Sequence, residues 1–186
     1  MKPPSLQGLP LPPPAIVIHM QPTAQSDAAT TSTPAQESIA AALGRIPSGL
    51  FVASWRDGDA DRCMLASWVM QAGFAPPTVS VAVATTRELL AAADRGQPFA
   101  LSGLTESQRP LLARFGKPSA DAFAGLDVER TATGCAVLAG SACWIECRPV
   151  TRAAHGDHVV LLAEVTAAAG TGDAPLVHVR RNGLRY

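Results

Sequence analysis

Aromatic residues make up only 5% of the 186-residue chain, so its interior has to be filled by small aliphatic side chains packed closely. Cysteine is scarce: Cys63, Cys135, Cys143 and Cys147 form no C-x-x-C pair, which excludes the common zinc and dithiol spacings. Free thiols in a core are expected instead, as suits a reducing cytoplasm. Neither sign of charge is in excess, with fifteen Lys and Arg against fifteen Asp and Glu. No global field therefore holds nucleic acid or an anionic membrane surface. No apolar run approaches the roughly 18 residues of a membrane span, and residues 15–18, preceded by prolines, are too short for a signal-peptide core. A nucleophile elbow, a Walker loop and a GxGxxG turn are also missing, which removes the usual hydrolase and α/β nucleotide-binding readings. A cytoplasmic protein with no metal site is the expectation.

Proline is plentiful but uneven: eight of the sixteen lie before residue 37, where Lys2 and Asp27 are the only charges. Residues 1–36 read as a disordered Pro-rich tail, either a spacer or a stretch upstream of a true start at Met20. Pro10, Pro12, Pro13 and Pro14 also suit an extended docking peptide. Residues 37–186 are the length of one domain.

Within that domain, residues 38–43 read as a short helix stopped by Gly44 and Pro47. Residues 49–55 read as a strand that turns at Asp57-Gly58-Asp59 and returns through residues 63–69 as a hairpin. After Pro76-Pro77, residues 78–84 alternate, with Val79, Val81 and Val83 on one face and Ser80, Ala82 and Ala84 on the other. The second face is small enough for a flat ligand or another backbone to approach. Thr85 and Thr86 offer N-cap oxygens to a helix over residues 87–95 closed by Gly96. A strand over 99–104, an amphipathic helix over 108–115 and late strands over 142–150, 159–165 and 176–180 complete the pattern. Residues 159–163 are apolar on both faces and need cover from the barrel interior on one side and from a helix or a second subunit on the other. Many strands, few helices and no βαβ alternation predict a mainly β fold, an antiparallel barrel with two or three peripheral helices.

Several short elements follow one another in order: Arg45-Ile46-Pro47-Ser48-Gly49, Met64-Leu65-Ala66-Ser67-Trp68-Val69, Phe74-x-Pro76-Pro77, Phe115-Gly116-Lys117, Gly156-Asp157-His158, Ala163-Glu164-Val165 and Pro175-Leu176-Val177-His178. In this series the chain resembles the flavin reductase-like FMN-binding family, most closely the flavin reductase modules of cyanobacterial diflavin flavoproteins. The resemblance implies a split β-barrel with FMN in a groove at a homodimer interface, against Met64, Leu65, Ala66 and Ser67. An isoalloxazine ring needs such an apolar slot with N–H donors along it. It also implies a phosphate held by Ser67, Thr85, Thr86 and Arg87, although on residue type alone the threonines are equally an ordinary cap and Arg87 a solvated side chain. Ser102 and Gly103 stand where the family has a second flavin-contacting segment, or form a simple turn. Lys117 and His178 are placed to meet pyridine-nucleotide phosphates or to solvate a loop.

The Gly156-Asp157-His158 signature makes His158 the catalytic candidate, placed to hydrogen-bond the cofactor or the nicotinamide carboxamide; without the motif it reads as a structural histidine. The implied activity is NAD(P)H-dependent flavin reduction, with NADH or NADPH as donor, FMN as cofactor, FAD or riboflavin as alternative substrates, and an electron-acceptor protein as a further partner. Two rivals are a non-catalytic flavin-binding relay or sensor module docked through the tail, and an FMN-dependent oxidase akin to pyridoxamine-phosphate oxidases. Cys63 and Ala163 depart from the family pattern, each standing where relatives often carry Gly. The flavodoxin and metal-binding domains of diflavin proteins have no counterpart in the sequence, so their oxygen-reducing role does not carry over.

Overall fold

A computed structural model describes residues 33–117, 119 and 121–184; most of the expected tail lies outside these. The first helix, α1 (Pro34–Gly44), starts ahead of residue 38 because its start signals lie in the proline-rich stretch. Thr33 and Gln36 form a reciprocal capping box, and Pro34 fills the first turn, where its missing N–H costs nothing.

The strands follow as β1 (Ser48–Gly49), β2 (Phe51–Asp57), β3 (Ala60–Ala66), β4 (Val69–Phe74) and β5 (Pro77–Ala84). After them come α2 (Glu88–Asp94), β6 (Phe99–Gly103), a 3₁₀ turn (Glu106–Leu111) and α3 (Leu112–Phe115). The chain then forms β7 (Val128–Arg130), β8 (Ala136–Leu138), β9 (Cys143–His155), β10 (His158–Gly170) and β11 (Val177–His178).

Three expectations are corrected, and one hairpin was not anticipated. Residues 63–69 are not one strand, since β3 pairs with β2 as far as Ala66 and Val69 already pairs with Val81 of β5. The helix over 108–115 is split because Pro110 has no N–H to give an α-helical ladder, so the chain runs as a 3₁₀ helix until Leu111. The strand over 176–180 shrinks to Val177 and His178. The β7–β8 hairpin, three residues a side, was too short to show periodicity.

Seven strands form one antiparallel sheet in the order β3-β2-β6-β9-β10-β5-β4. Laid flat at ~4.8 Å per strand, its edges would stand on the order of 29 Å apart. Yet β3 and β4, the two edges, are joined through Ser67 and Trp68 alone, a link that spans no more than about 10 Å. The sheet therefore has to curl into a split barrel, open between β3 and β4.

The barrel interior holds Val79, Val81 and Val83 of β5 with Phe99, Leu101, Leu161 and Ala163, and α2 inserts Leu89, Leu90, Ala92 and Ala93 into the same cluster. Each such fully buried Leu contributes roughly 2 kcal/mol. On the other side of β2 and β6, Leu50, Val52, Leu104, Phe115 and Leu176 form a second cluster, which fastens the C-terminal segment to the barrel. That segment is tied further by Ser48 pairing with His178. The Arg180 N–H donates to Gly44 O at 3.0 Å and the Gly183 N–H to Ala40 O at 2.8 Å.

Candidate functional site

The break between β3 and β4 opens a cavity of about 570 Å³, within the ~300–1,000 Å³ usual for small-molecule sites. One wall is the end of β3, Met64, Leu65 and Ala66, with Ser67 just after it, and another is the outward face of β5, Ala82 and Ala84. The alternation of β5 turns its valines inward, so the cavity meets only methyl groups there. The remaining lining includes Arg87, Gly116 and the C-terminal residues His178, Val179, Arg180, Arg181 and Asn182. Three arginines and no carboxylate among the described lining residues suit it to an anion with an apolar body.

Arg180 is fixed on two sides. Its Nη2 donates to Ser67 Oγ at 2.5 Å, and its guanidinium lies 4.3 Å above the Trp68 ring. A further neighbour of Trp68 is His158, with ring centroids 4.8 Å apart. His158 Nδ1 sits 2.9 Å from Asp157 Oδ1, and this hydrogen bond holds the Asp157 carboxyl below its ordinary range. Gly156, at φ +62, and Asp157 form the two-residue turn between β9 and β10, so the Gly-Asp-His run is a hairpin turn that delivers His158 at the first position of β10. His158, Trp68 and Arg180 line a second cavity of about 430 Å³ together with Leu43, Ile46 and Gly183. Arg180 borders both spaces, while His158 borders only the second.

Of the residues singled out from the sequence, Met64, Leu65, Ala66, Ser67, Arg87 and His178 converge on the main cavity. Thr86 faces a third, smaller space beside Arg87. Thr85 and Thr86 do not cap α2: Arg87 occupies the N-cap with no side-chain bond, and the first turn carries the Glu88 carboxylate. Thr85 instead donates its N–H to Asp157 O at 3.0 Å, joining the turn after β5 to the turn before His158. Ser102 and Gly103 are buried in β6, where the Ser102 hydroxyl accepts the Leu138 N–H at 3.0 Å. A Cβ on Gly103 would lie 3.0 Å from Cys143 Sγ and 3.3 Å from the Phe51 ring, so that segment serves packing rather than the cavity. Lys117 is exposed beside Gly116.

The residues that sequence reasoning missed are Arg180, Arg181 and Asn182. Their signal was present, since Arg180-Arg181 is the chain's only Arg-Arg pair, but an overall neutral charge gave it no weight. Cys63 beside the cavity is no nucleophile, because burial, and then the Asp61 charge, push its thiol up to about 11. Among the described residues, no helix is long and apolar enough to cross a membrane.

Residues 43–183 match the family described as flavin reductase like domain. Diflavin flavoprotein A 1 of Synechocystis sp. is 34% identical over 152 residues, which are 78% of this chain and 26% of that protein. The chain thus spans about a quarter of the length of the diflavin flavoproteins that it matches. Actinorhodin polyketide dimerase of Streptomyces coelicolor is 34% identical over 144 residues, covering 77% of this chain and 76% of that one. Among solved structures, the styrene monooxygenase flavin reductase of Pseudomonas putida S12 superposes with a TM-score of 0.67 at 25% identity, over 76% of this chain and 91% of the other. An NADH:FAD oxidoreductase of Streptomyces globisporus C-1027 shares the fold, with a TM-score of 0.70 at 24% identity over 78% of this chain and 87% of its own.

Proposed function

Because the chain belongs to the flavin reductase like domain family, through a match over residues 43–183, we propose that it is an NAD(P)H-dependent flavin reductase. The observation that carries this reading is the main cavity: an alanine-faced slot that runs into a group of three arginines with no carboxylate among the described lining residues. A flavin nucleotide is a flat apolar ring system joined to an anionic tail, and the donor set fits both parts. A bound flavin supplies the redox chemistry itself, accepting hydride from a reduced nicotinamide.

The residues do the placing. Ala66, Ala82 and Ala84 leave room for a planar ring, and Arg87 and Arg181 neutralise phosphate charge. Arg180, held by Ser67 and Trp68, stands at the junction of the flavin cavity and the His158 cavity. His158, oriented by Asp157, hydrogen-bonds the nicotinamide nucleotide in the second space. Lys117, exposed at the margin, adds a cation for nucleotide phosphates.

The functional unit in this reading is a homodimer in the cytoplasm that hands electrons to an acceptor. Met70, Ser80 and Leu162 form one outward row across β4, β5 and β10. Met70 in this row is 70% exposed and Val160 beside it 42%, apolar surface that a second copy would cover. The test is a titration of the purified chain with FMN and FAD, followed by anaerobic NADH or NADPH. Bleaching of the flavin absorbance is expected. Failure to bind any flavin overturns the reading, and a yellow protein inert to both nucleotides marks a relay or sensor module instead.

A further inference from the structure

α3 is only four residues long, yet one of them sets the course of the chain beyond it. The chain leaves α3 at Gly116, whose N–H donates to Leu112 O at 2.9 Å. It returns over residues 121–126 onto the second apolar cluster, where Ala122 is buried and the Phe123 ring lies 5.3 Å from the Phe115 ring. Packing therefore fastens the returning limb. On the outgoing limb Lys117, Ser119 and Asp121 are polar and exposed, and Arg114 closes it instead. Its Nε donates to Ala122 O at 2.6 Å and its Nη2 to Asp121 O at 3.1 Å and to Ala124 O. One guanidinium thus gathers three backbone carbonyls. The limb it closes borders the anionic end of the site: Gly116 lines the main cavity, Ser119 lines the smaller space of about 300 Å³, and Arg87 lines each of them. Arg114 itself lines neither.

Resting on the flavin reading above, we infer that Arg114 is a positioning residue for the phosphate end of the flavin. By holding Asp121, Ala122 and Ala124 it fixes the short limb from Gly116 to Asp121, and so keeps Lys117 and Ser119 at the Arg87 end of the site. The role calls for arginine. Three carbonyls are met by donors on Nε and Nη2 in one rigid plane, whereas a lysine ammonium is a point donor on a flexible stem. With both ends fixed, the limb has few conformations left to lose when a phosphate binds, so Lys117 meets the anion at little ordering cost. Released, the same lysine is an ordinary solvated loop cation. A role confined to fold stability would act on every flavin alike. A role at the phosphate spares riboflavin, which has the ring and the ribityl chain without the anion.

The test is equilibrium binding of riboflavin and FMN to the full chain by flavin fluorescence, with thermal unfolding measured alongside. Arg114→Ala is expected to weaken FMN about tenfold, the loss of about one charge-assisted hydrogen bond at the phosphate, while riboflavin stays within about twofold. Lys117→Ala completes a double-mutant cycle: it should cost about fivefold in FMN affinity in the wild type and less than about twofold once Arg114 is replaced. Arg114→Lys keeps the charge without the fork and serves if the alanine variant does not fold; it should bind FMN about fivefold more weakly than the wild type, with riboflavin again within about twofold. Unchanged FMN affinity in Arg114→Ala, riboflavin and FMN weakened by one factor, or Lys117→Ala costing the same in both backgrounds overturns the inference and leaves the flavin reading standing. Binding of neither flavin by the wild type overturns both.

Discussion

The Arg180 guanidinium lies 4.3 Å above the Trp68 ring while its Nη2 donates to Ser67 Oγ at 2.5 Å. One side chain from the C-terminal segment thus holds both residues of the β3–β4 break. A cation–π contact of this exposure contributes about 0.5–2 kcal/mol. Arg180→Ala is expected to lower flavin affinity about tenfold and to change tryptophan emission. Arg180→Lys should recover little affinity, because an ammonium cannot stack and fork at once. Titration of flavin into each variant decides this, and unchanged affinity in Arg180→Ala contradicts the placement.

Gly183 controls whether Arg180 and Arg181 reach the cavity at all. A Cβ on Gly183 would lie 2.3 Å from Leu43 Cβ and 2.6 Å from Gly44 N, so any side chain pushes the C-terminal segment off α1. Gly183→Ala is expected to cost about 1–3 kcal/mol and to weaken flavin binding as Arg180→Ala does. Limited proteolysis should show earlier cleavage near the C-terminus while the barrel core keeps its protection.

His158 faces the second cavity and not the first, which separates its effect from flavin binding. His158→Asn is expected to raise the KM for NADH or NADPH about tenfold, the loss of one good hydrogen bond, while the flavin Kd stays within about twofold. Steady-state kinetics beside a flavin titration checks the split. A parallel loss of flavin affinity would put His158 at the flavin instead.

Acid stability should report on Asp61. Arg130 holds it through Nη1–Oδ1 at 2.5 Å and Nη2–Oδ2 at 2.7 Å, and Arg56 adds a bond at 3.0 Å. The hydrogen bond from Arg130, aided by Arg56, keeps its carboxyl below the ordinary 3.8. A depressed native pKa contributes stability that is fully present above the unfolded value and is lost as pH falls through the native one. Asp61→Asn is therefore expected to cost about 1 kcal/mol at neutral pH and to make denaturant unfolding less dependent on pH below 3.8 than in the wild type. An unchanged acid limb would contradict the bidentate pair.

Much of the fold was legible because its signals are local. The alternation over residues 78–84 became β5, Pro77–Ala84, with its valines inside and its alanines on the cavity. The β9–β10 hairpin was less legible: Gly156, at positive φ, closes it in two residues, so β9 runs on to His155 past the expected 142–150. The hydroxyls were harder to place. Thr85, Thr86 and Ser102 are each competent to cap, to bind phosphate or to pack, and residue type does not choose among these. In the fold Ser102 is taken by the Leu138 N–H, 36 positions away, and the cap position passes to Arg87.

By itself the sequence determined most of the longer strands and the small face of β5, since side-chain period acts between near neighbours. Only the tertiary structure decided which cations line the cavity. Arg180 and Ser67 stand 113 positions apart and meet because the barrel closes through a two-residue link and the C-terminal segment is then tied across its mouth by β1, β11 and Gly183. A charge count is blind to such long-range placement.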